Sequence, residues 1–314
     1  MFELHAVTAL YDIGRVNADG RSIDTYIAWL NRTLRLPVPI TLYLDPNIDV
    51  SKIELTSQVT LIRMPWDELA TAKWLPKVEE ICRGRTRFRR RDDMSYILPK
   101  FIVTTMAKFD VLARTAEAHP DRPYVVWVDA GISRQTPYDM SKLRPRLSFI
   151  QRLMAQCDLA FSAQRRLRDY LHGAPHEPFP GRCVRLMHGG VLLERADGAA
   201  RVRDAIFDHV ERNWLAHDLW DTEQTAVGEV FLARKFNAAI QNESGRWISL
   251  LGAMFEPTEP LPFAQAWDMR ETFWKYPLPL RMWGLARLPL HAAWRNLRYG
   301  GRSLEVAEVV RTVA

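Results

Sequence analysis

The sequence predicts an α/β fold, with a largely parallel sheet flanked by helices. Three observations carry that expectation. Short apolar runs alternate with stretches whose apolar residues recur at helical spacing. The run Tyr124–Val128 is apolar throughout, as a strand covered on both faces must be. The chain has 314 residues, 47% hydrophobic and 25% charged, enough for one large domain with appendages or two intimate lobes.

The elements follow in order. Residues 4–11 read as a first strand that ends in Asp-Ile-Gly-Arg. In 21–36, Ile23, Ile27, Leu30 and Leu34 share a helix face. Residues 38–44 and 58–64 read as the second and third strands, the former closed by an Asp-Pro-Asn turn. Helices are expected over 66–82 and 98–118, and a fourth strand at 124–128. Residues 142–157 and 162–173 read as two more helices around a short apolar run, with Ser162 as an N-cap and Gly173 as a stop. Residues 172–181 are a loop by composition, and 182–190 a strand ending in a glycine turn. Val202, Ile206, Val210 and Trp214 form a narrow helical stripe. Another helix begins at Asp221 or Thr222. Residues 256–263 are a proline-rich linker. We therefore divide the chain into a main domain, 1–255, and a basic, aromatic tail or small helical subdomain, 256–314.

The net charge of +6 favours acidic partners such as nucleic acid, anionic lipid or phosphorylated molecules. Six arginines crowd residues 83–91, which suits a phosphate patch or, more simply, a solvated loop. The tail's Trp267, Trp274 and Trp283 could lie at an anionic membrane surface or pack back on the domain. Cys82, Cys157 and Cys183 are far apart, which fits a reducing compartment. No secretory signal is recognisable, and no run approaches the roughly 18 apolar residues of a membrane span. P-loop, dinucleotide-binding, nucleophile-elbow and zinc-protease motifs are absent.

Chemistry concentrates at strand ends, where open parallel sheets bind ligands. Asp129 ends the fourth strand and could hold a divalent cation or a sugar hydroxyl. Gly131 allows positive φ and close approach by a ligand. Tyr11, Asp12 and Arg15 follow the first strand and offer a stacking plane, an acid and a phosphate fork. His188, Gly189 and Gly190 could meet a metal, phosphate or sugar. Asp221, Glu223 and Gln224 begin a helix, where a carboxylate can serve as base or simply favour the helix dipole.

The order of these pieces resembles the HtrL/YibB family, bacterial proteins associated with lipopolysaccharide-core gene clusters. The likeness spans about residues 4–240 and is clearest at "TALYDIGR", "AKFDVL" and "WVDAGI". The family is similar to GT-A type glycosyltransferases, so the resemblance implies a GT-A-like fold and a nucleotide-sugar donor. It implies that Tyr11, Asp12 and Arg15 hold the nucleotide. Lys108 would face the donor phosphates or order the acid loop. Asp129 would take the place of a DxD carboxylate, near metal and ribose. His188, Gly189 and Gly190 would line the sugar site, Asp221 or Glu223 would be the base, and Gln224 would bond to the sugar. Gly131 stands where a DxD motif has its second acid. A Mn²⁺ or Mg²⁺ ion would therefore rest on one carboxylate, or Arg15, Lys108 or the arginine cluster would neutralise the diphosphate instead.

The expectation is a cytoplasmic glycosyltransferase on the inner membrane face. Its acceptor would be a surface glycan or lipid-linked precursor, and nucleic acid is not its expected partner. The competing readings are a non-catalytic basic module on anionic membrane or nucleic acid, and a nucleotide-sugar hydrolase.

Overall fold

A computed structural model describes residues 3–83, 94–136, 139–163, 187–241 and 249–259. Among the described residues, seven strands form the main sheet: β1 (Leu4–Leu10), β2 (Ile40–Leu44), β3 (Val59–Arg63), β4 (Tyr124–Val128), β6 (Leu159–Ala163), β7 (Met187–Arg195) and β8 (Ala238–Gln241). Their order is β3-β2-β1-β4-β7-β6-β8, while β5 (Leu143–Pro145) and β9 (Phe255–Pro257) pair in a small second sheet. Within the main sheet β7 alone runs antiparallel, between β4 and β6. The mixed, mostly parallel sheet flanked by helices is the expected architecture.

Both faces are covered, which explains the apolar strands. Val125 and Trp127 enter one core cluster with Phe109, Ile206 and Val227. Their neighbours Val126 and Val128 enter the other with Leu30, Leu42 and Ile150. The period-2 alternation of a strand sorts successive residues to opposite faces. The helix Ile23–Thr33 is capped by Ser22, whose side chain accepts from Thr25 N, and it buries Ile27 and Leu30. Thr222 caps the helix Glu223–Leu232 in the same way. Val202, Ile206, Val210 and Trp214 are all buried, so the expected stripe holds.

Several boundaries differ from expectation. The stretch 98–118 is two helices, Pro99–Met106 and Lys108–Ala118, meeting at Ala107. The start of 142–157 is the strand β5, because Pro145 cannot sit inside a helix. Ser162 belongs to β6, opposite Gln241, rather than capping a helix. The double glycine lies inside β7, not in a turn after it. Phe255–Pro257 pairs with β5 across the start of the expected linker. The loop 172–181, Gly173, Cys183, arginines 85–91 and the tail from residue 260 lie outside the described residues. No helix among the described residues is long and apolar enough to cross a membrane.

Topology places the ligand crevice. From β1 the chain builds β2 and β3 on one side, and β4 lies on the other. The gap outside the carboxyl ends of β1 and β4 is a switch point, where connections diverge and side chains leave the sheet.

Candidate functional site

A cavity of about 810 Å³ opens at that switch point. It lies within the range of small-molecule sites, roughly 300–1,000 Å³. Its wall includes Tyr11, Asp12 and Arg15 after β1, Asp129 and Gly131 after β4, Lys108 on a helix, Gly189 on β7, and Glu223 and Gln224.

The floor is a buried ion pair. Lys108 Nζ donates to Glu223 Oε1 at 3.1 Å and to the Gly189 carbonyl at 2.7 Å. Glu223 Oε2 accepts from Thr105 Oγ1 at 3.2 Å. The two charged side chains are 2% and 6% exposed, so each depends on the other for compensation. Gly189 is required here for space. A Cβ at that position would collide with Glu223 Oε1 and press on Lys108 Nζ at 3.1 Å and Gln224 Nε2 at 3.2 Å. The antiparallel strand thus passes close enough for its carbonyl to bind the lysine.

Asp129 stands beside this pair. Its Oδ1 accepts from Trp127 Nε1 at 2.7 Å, two residues back on the same strand face. Its backbone N–H donates to the Gly190 carbonyl at 2.9 Å. No described residue donates to Oδ2. Burial raises the Asp129 pKa, with Glu223 adding to the rise, while Lys108, the Trp127 bond and Arg134 oppose it. Gly131 has φ −90°, not the positive φ expected of it. Its value is room, since a Cβ there would meet Trp29 Cε3 at 3.3 Å.

Part of the wall is basic. Gly14 and Gly20, at φ +77° and +76°, bracket the short helical turn Val16–Asp19. That turn brings Arg15 and Arg21 to one carboxylate, Asp19. The Arg15 guanidinium lies 4.6 Å from the Phe101 ring and 5.7 Å from that of Tyr26. Arg134 lies over Trp29 at 5.0 Å and makes no ion pair with any described residue. Burial and the neighbouring Arg21 and Arg15 lower the Arg134 pKa. Among the described residues, the buried Nε atoms of Arg15 and Arg134 find no hydrogen-bond partner.

The remaining expected residues divide. Asp12 spends Oδ1 on the N–H of Gly14, as an ordinary Asp-x-Gly turn does. Tyr11 is 6% exposed and packed into the core, so its ring is not an open stacking face. Burial raises its pKa, and Asp45 and Tyr43 add to the rise. His188 and Gly190 do not line the cavity. His188 is buried, and desolvation lowers its pKa to about 4. Asp221 is fully buried off the cavity wall, its Oδ1 accepting from Thr222 N at 2.6 Å. Sequence reasoning missed Arg21, Arg134, Tyr26, Phe101 and Thr105, all of which line the cavity. A signal existed for two of them: Gly20-Arg21 repeats Gly14-Arg15, and Arg134 follows Asp129 by five positions.

The donor set does not suit a resident divalent cation. Hard cations want several carboxylate or carbonyl oxygens. Asp129 offers one carboxylate, with one oxygen bound to an indole N–H. Glu223, the other acid deep in the site, is tied to an ammonium. Among the described residues, no cluster of three His, Cys, Asp or Glu side chains could hold a metal.

No family model matches the chain, and neither does any curated protein. The HtrL/YibB resemblance therefore rests on its motifs. Among solved structures, the chain is similar to the galactosyltransferase LgtC in complex with donor and acceptor sugar analogues. The two are 13% identical, the match covers 72% of this chain and 70% of that one, and the TM-score is 0.35.

Proposed function

We propose that this chain is a glycosyltransferase that takes a sugar from a nucleotide-sugar and passes it to a bacterial surface glycan or lipid-linked precursor. The observation that carries the reading is the switch-point cavity, where Asp129, the Lys108–Glu223 pair and an arginine wall converge. A nucleotide-sugar needs a deep, mixed pocket with cations for its phosphates and polar groups for its sugar, and this cavity has both. The acceptor class follows the HtrL/YibB resemblance and the net charge of +6.

Of the carboxylates, we assign the proton-accepting role to Asp129. It has an oxygen to which no described residue donates, and its raised pKa makes it a better base. Glu223 instead anchors Lys108, with both oxygens already bonded. Asp221 lies off the cavity wall.

The test is thermal unfolding against a panel of nucleoside diphosphates and nucleotide-sugars, since a ligand that binds only the folded chain raises Tm by mass action. One nucleotide should shift Tm by several degrees at saturating concentration. Asp129→Asn should cut sugar transfer about a hundredfold or more while leaving that nucleotide bound. A folded chain that no nucleotide stabilises would sink the reading.

A further inference from the structure

We infer that Arg15, Arg21 and Arg134 form a diphosphate subsite that neutralises the leaving nucleoside diphosphate without a bound divalent cation. The inference deepens the transferase reading and rests on it for the identity of the leaving group.

Charge pairing inside the cavity leads there. Lys108 and Glu223 cancel each other on the floor. Asp19 offers one carboxylate to both Arg15 and Arg21. Arg134 has none among the described residues. Three guanidinium groups therefore share one ion-paired acid, Asp19, while Asp129 acts on Arg134 without pairing with it and Asp12 is bonded to Gly14 N. Holding like charges together in a partly buried wall is costly without an anion between them. Ring contacts with Phe101, Tyr26 and Trp29 hold two of the three guanidinium planes in place before any ligand arrives. The planar guanidinium fork matches phosphate oxygens two at a time.

The chemistry closes without a metal. The donor's C1–O bond breaks, and its electron pair stays on the β-phosphate oxygen. The acceptor oxygen bonds to C1, and its proton passes to Asp129 Oδ2. Negative charge grows on the diphosphate, and fixed cations aimed at growing charge lower the barrier. The same ligands that would fail a Mg²⁺ ion leave this wall free to take its part.

Isothermal titration of the full chain with inorganic pyrophosphate in EDTA tests the subsite independently of the base. Pyrophosphate should bind in EDTA. Arg134→Gln and Arg21→Gln should each weaken it about tenfold, the loss of a charge-assisted contact. Arg134→Lys should fall between, keeping the charge and losing the fork. Lys235→Gln, in a second basic cavity of about 580 Å³ beside β6 and β8, should change nothing. Circular dichroism melts would establish that each variant folds. Binding that appears only on adding Mg²⁺ or Mn²⁺ would overturn the inference, as would binding indifferent to both arginine variants in folded protein.

The two readings fail separately. If a nucleotide-sugar is turned over only with metal and Asp129→Asn abolishes transfer, the transferase stands and the arginine subsite falls. If pyrophosphate behaves as expected but no nucleoside diphosphate binds more tightly than it does, the subsite stands and the transferase reading falls.

Discussion

Lys108 reaches Glu223 with 2% of its side chain exposed, so neither charge can be removed alone without stranding the other. We expect Lys108→Met to cost about 3–5 kcal/mol in urea unfolding, and the double variant Lys108→Met/Glu223→Gln to recover part of that loss. A double variant no more stable than Lys108→Met would remove the pair from the account of stability. His5 gives a pH signature. Burial, with His119 and Arg122 adding, lowers its pKa from 6.5 to about 4. The unfolded chain binds a proton between those values and the folded chain does not. Stability from this group is therefore complete above pH 6.5 and lost as pH falls toward 4. At about 1.4 kcal/mol per pKa unit, the loss approaches roughly 3 kcal/mol. His5→Gln keeps a partner for the Thr41 hydroxyl, which lies 2.9 Å from Nε2, but cannot titrate. Its stability should fall less than wild type between pH 7 and pH 5, and parallel curves would refute the assignment.

Two glycines show how an element's neighbours decide a residue's cost. Gly189 sits on β7 against Glu223, Lys108 and Gln224. Gly189→Ala must push one of them aside, and we expect weaker nucleotide binding together with a loss of about 1–3 kcal/mol. Gly252 lies in the helix Ser249–Met254 with nothing within 4 Å of an added Cβ. Gly252→Ala should therefore stabilise the chain by about 0.5–1 kcal/mol. Equal effects from the two substitutions would mean that Gly189 is not packed as described. The same contrast explains which elements were legible. The strands β1, β2 and β4 announced themselves because they are buried on both faces and mostly apolar, whereas the half-exposed edge strand β3 showed only as a short apolar run. The strands β5, β8 and β9 are three or four residues long and owe their shape to pairing partners elsewhere in the chain.

Across the whole molecule, the sheet separates two apolar clusters, one per face. Phe109 belongs to one and Leu42 to the other, both fully buried. Phe109→Ala and Leu42→Ala should each cost about 2–5 kcal/mol. Because the sheet stands between them, the double variant should lose the sum within about 0.5 kcal/mol. A strongly non-additive result would mean that the faces communicate through the strands. The cavity draws on both halves of this plan. Trp127 comes from one cluster and Ala130 from the other, and the switch point leaves the strand ends between them open.

The α/β class, the strand whose end carries Asp129 and nine of the residues that line the crevice were legible in the sequence. Those features are local: apolar periodicity, a carboxylate at a strand end, and Gly-Arg turns that set their own backbone. Only the tertiary structure decided the partners. Lys108 and Glu223 are 115 positions apart, and Gly189 meets Lys108 across 81. Nothing in the local spacing of either could show that they touch. The same distance effect turned Glu223 from a free carboxylate into an anchor, moved Asp221 and His188 off the cavity wall, and gathered Arg15, Arg21 and Arg134 on one side of it. A side chain's chemistry is written in its own residue, but its protonation, its charge partner and the face it presents are set by groups that folding brings to it.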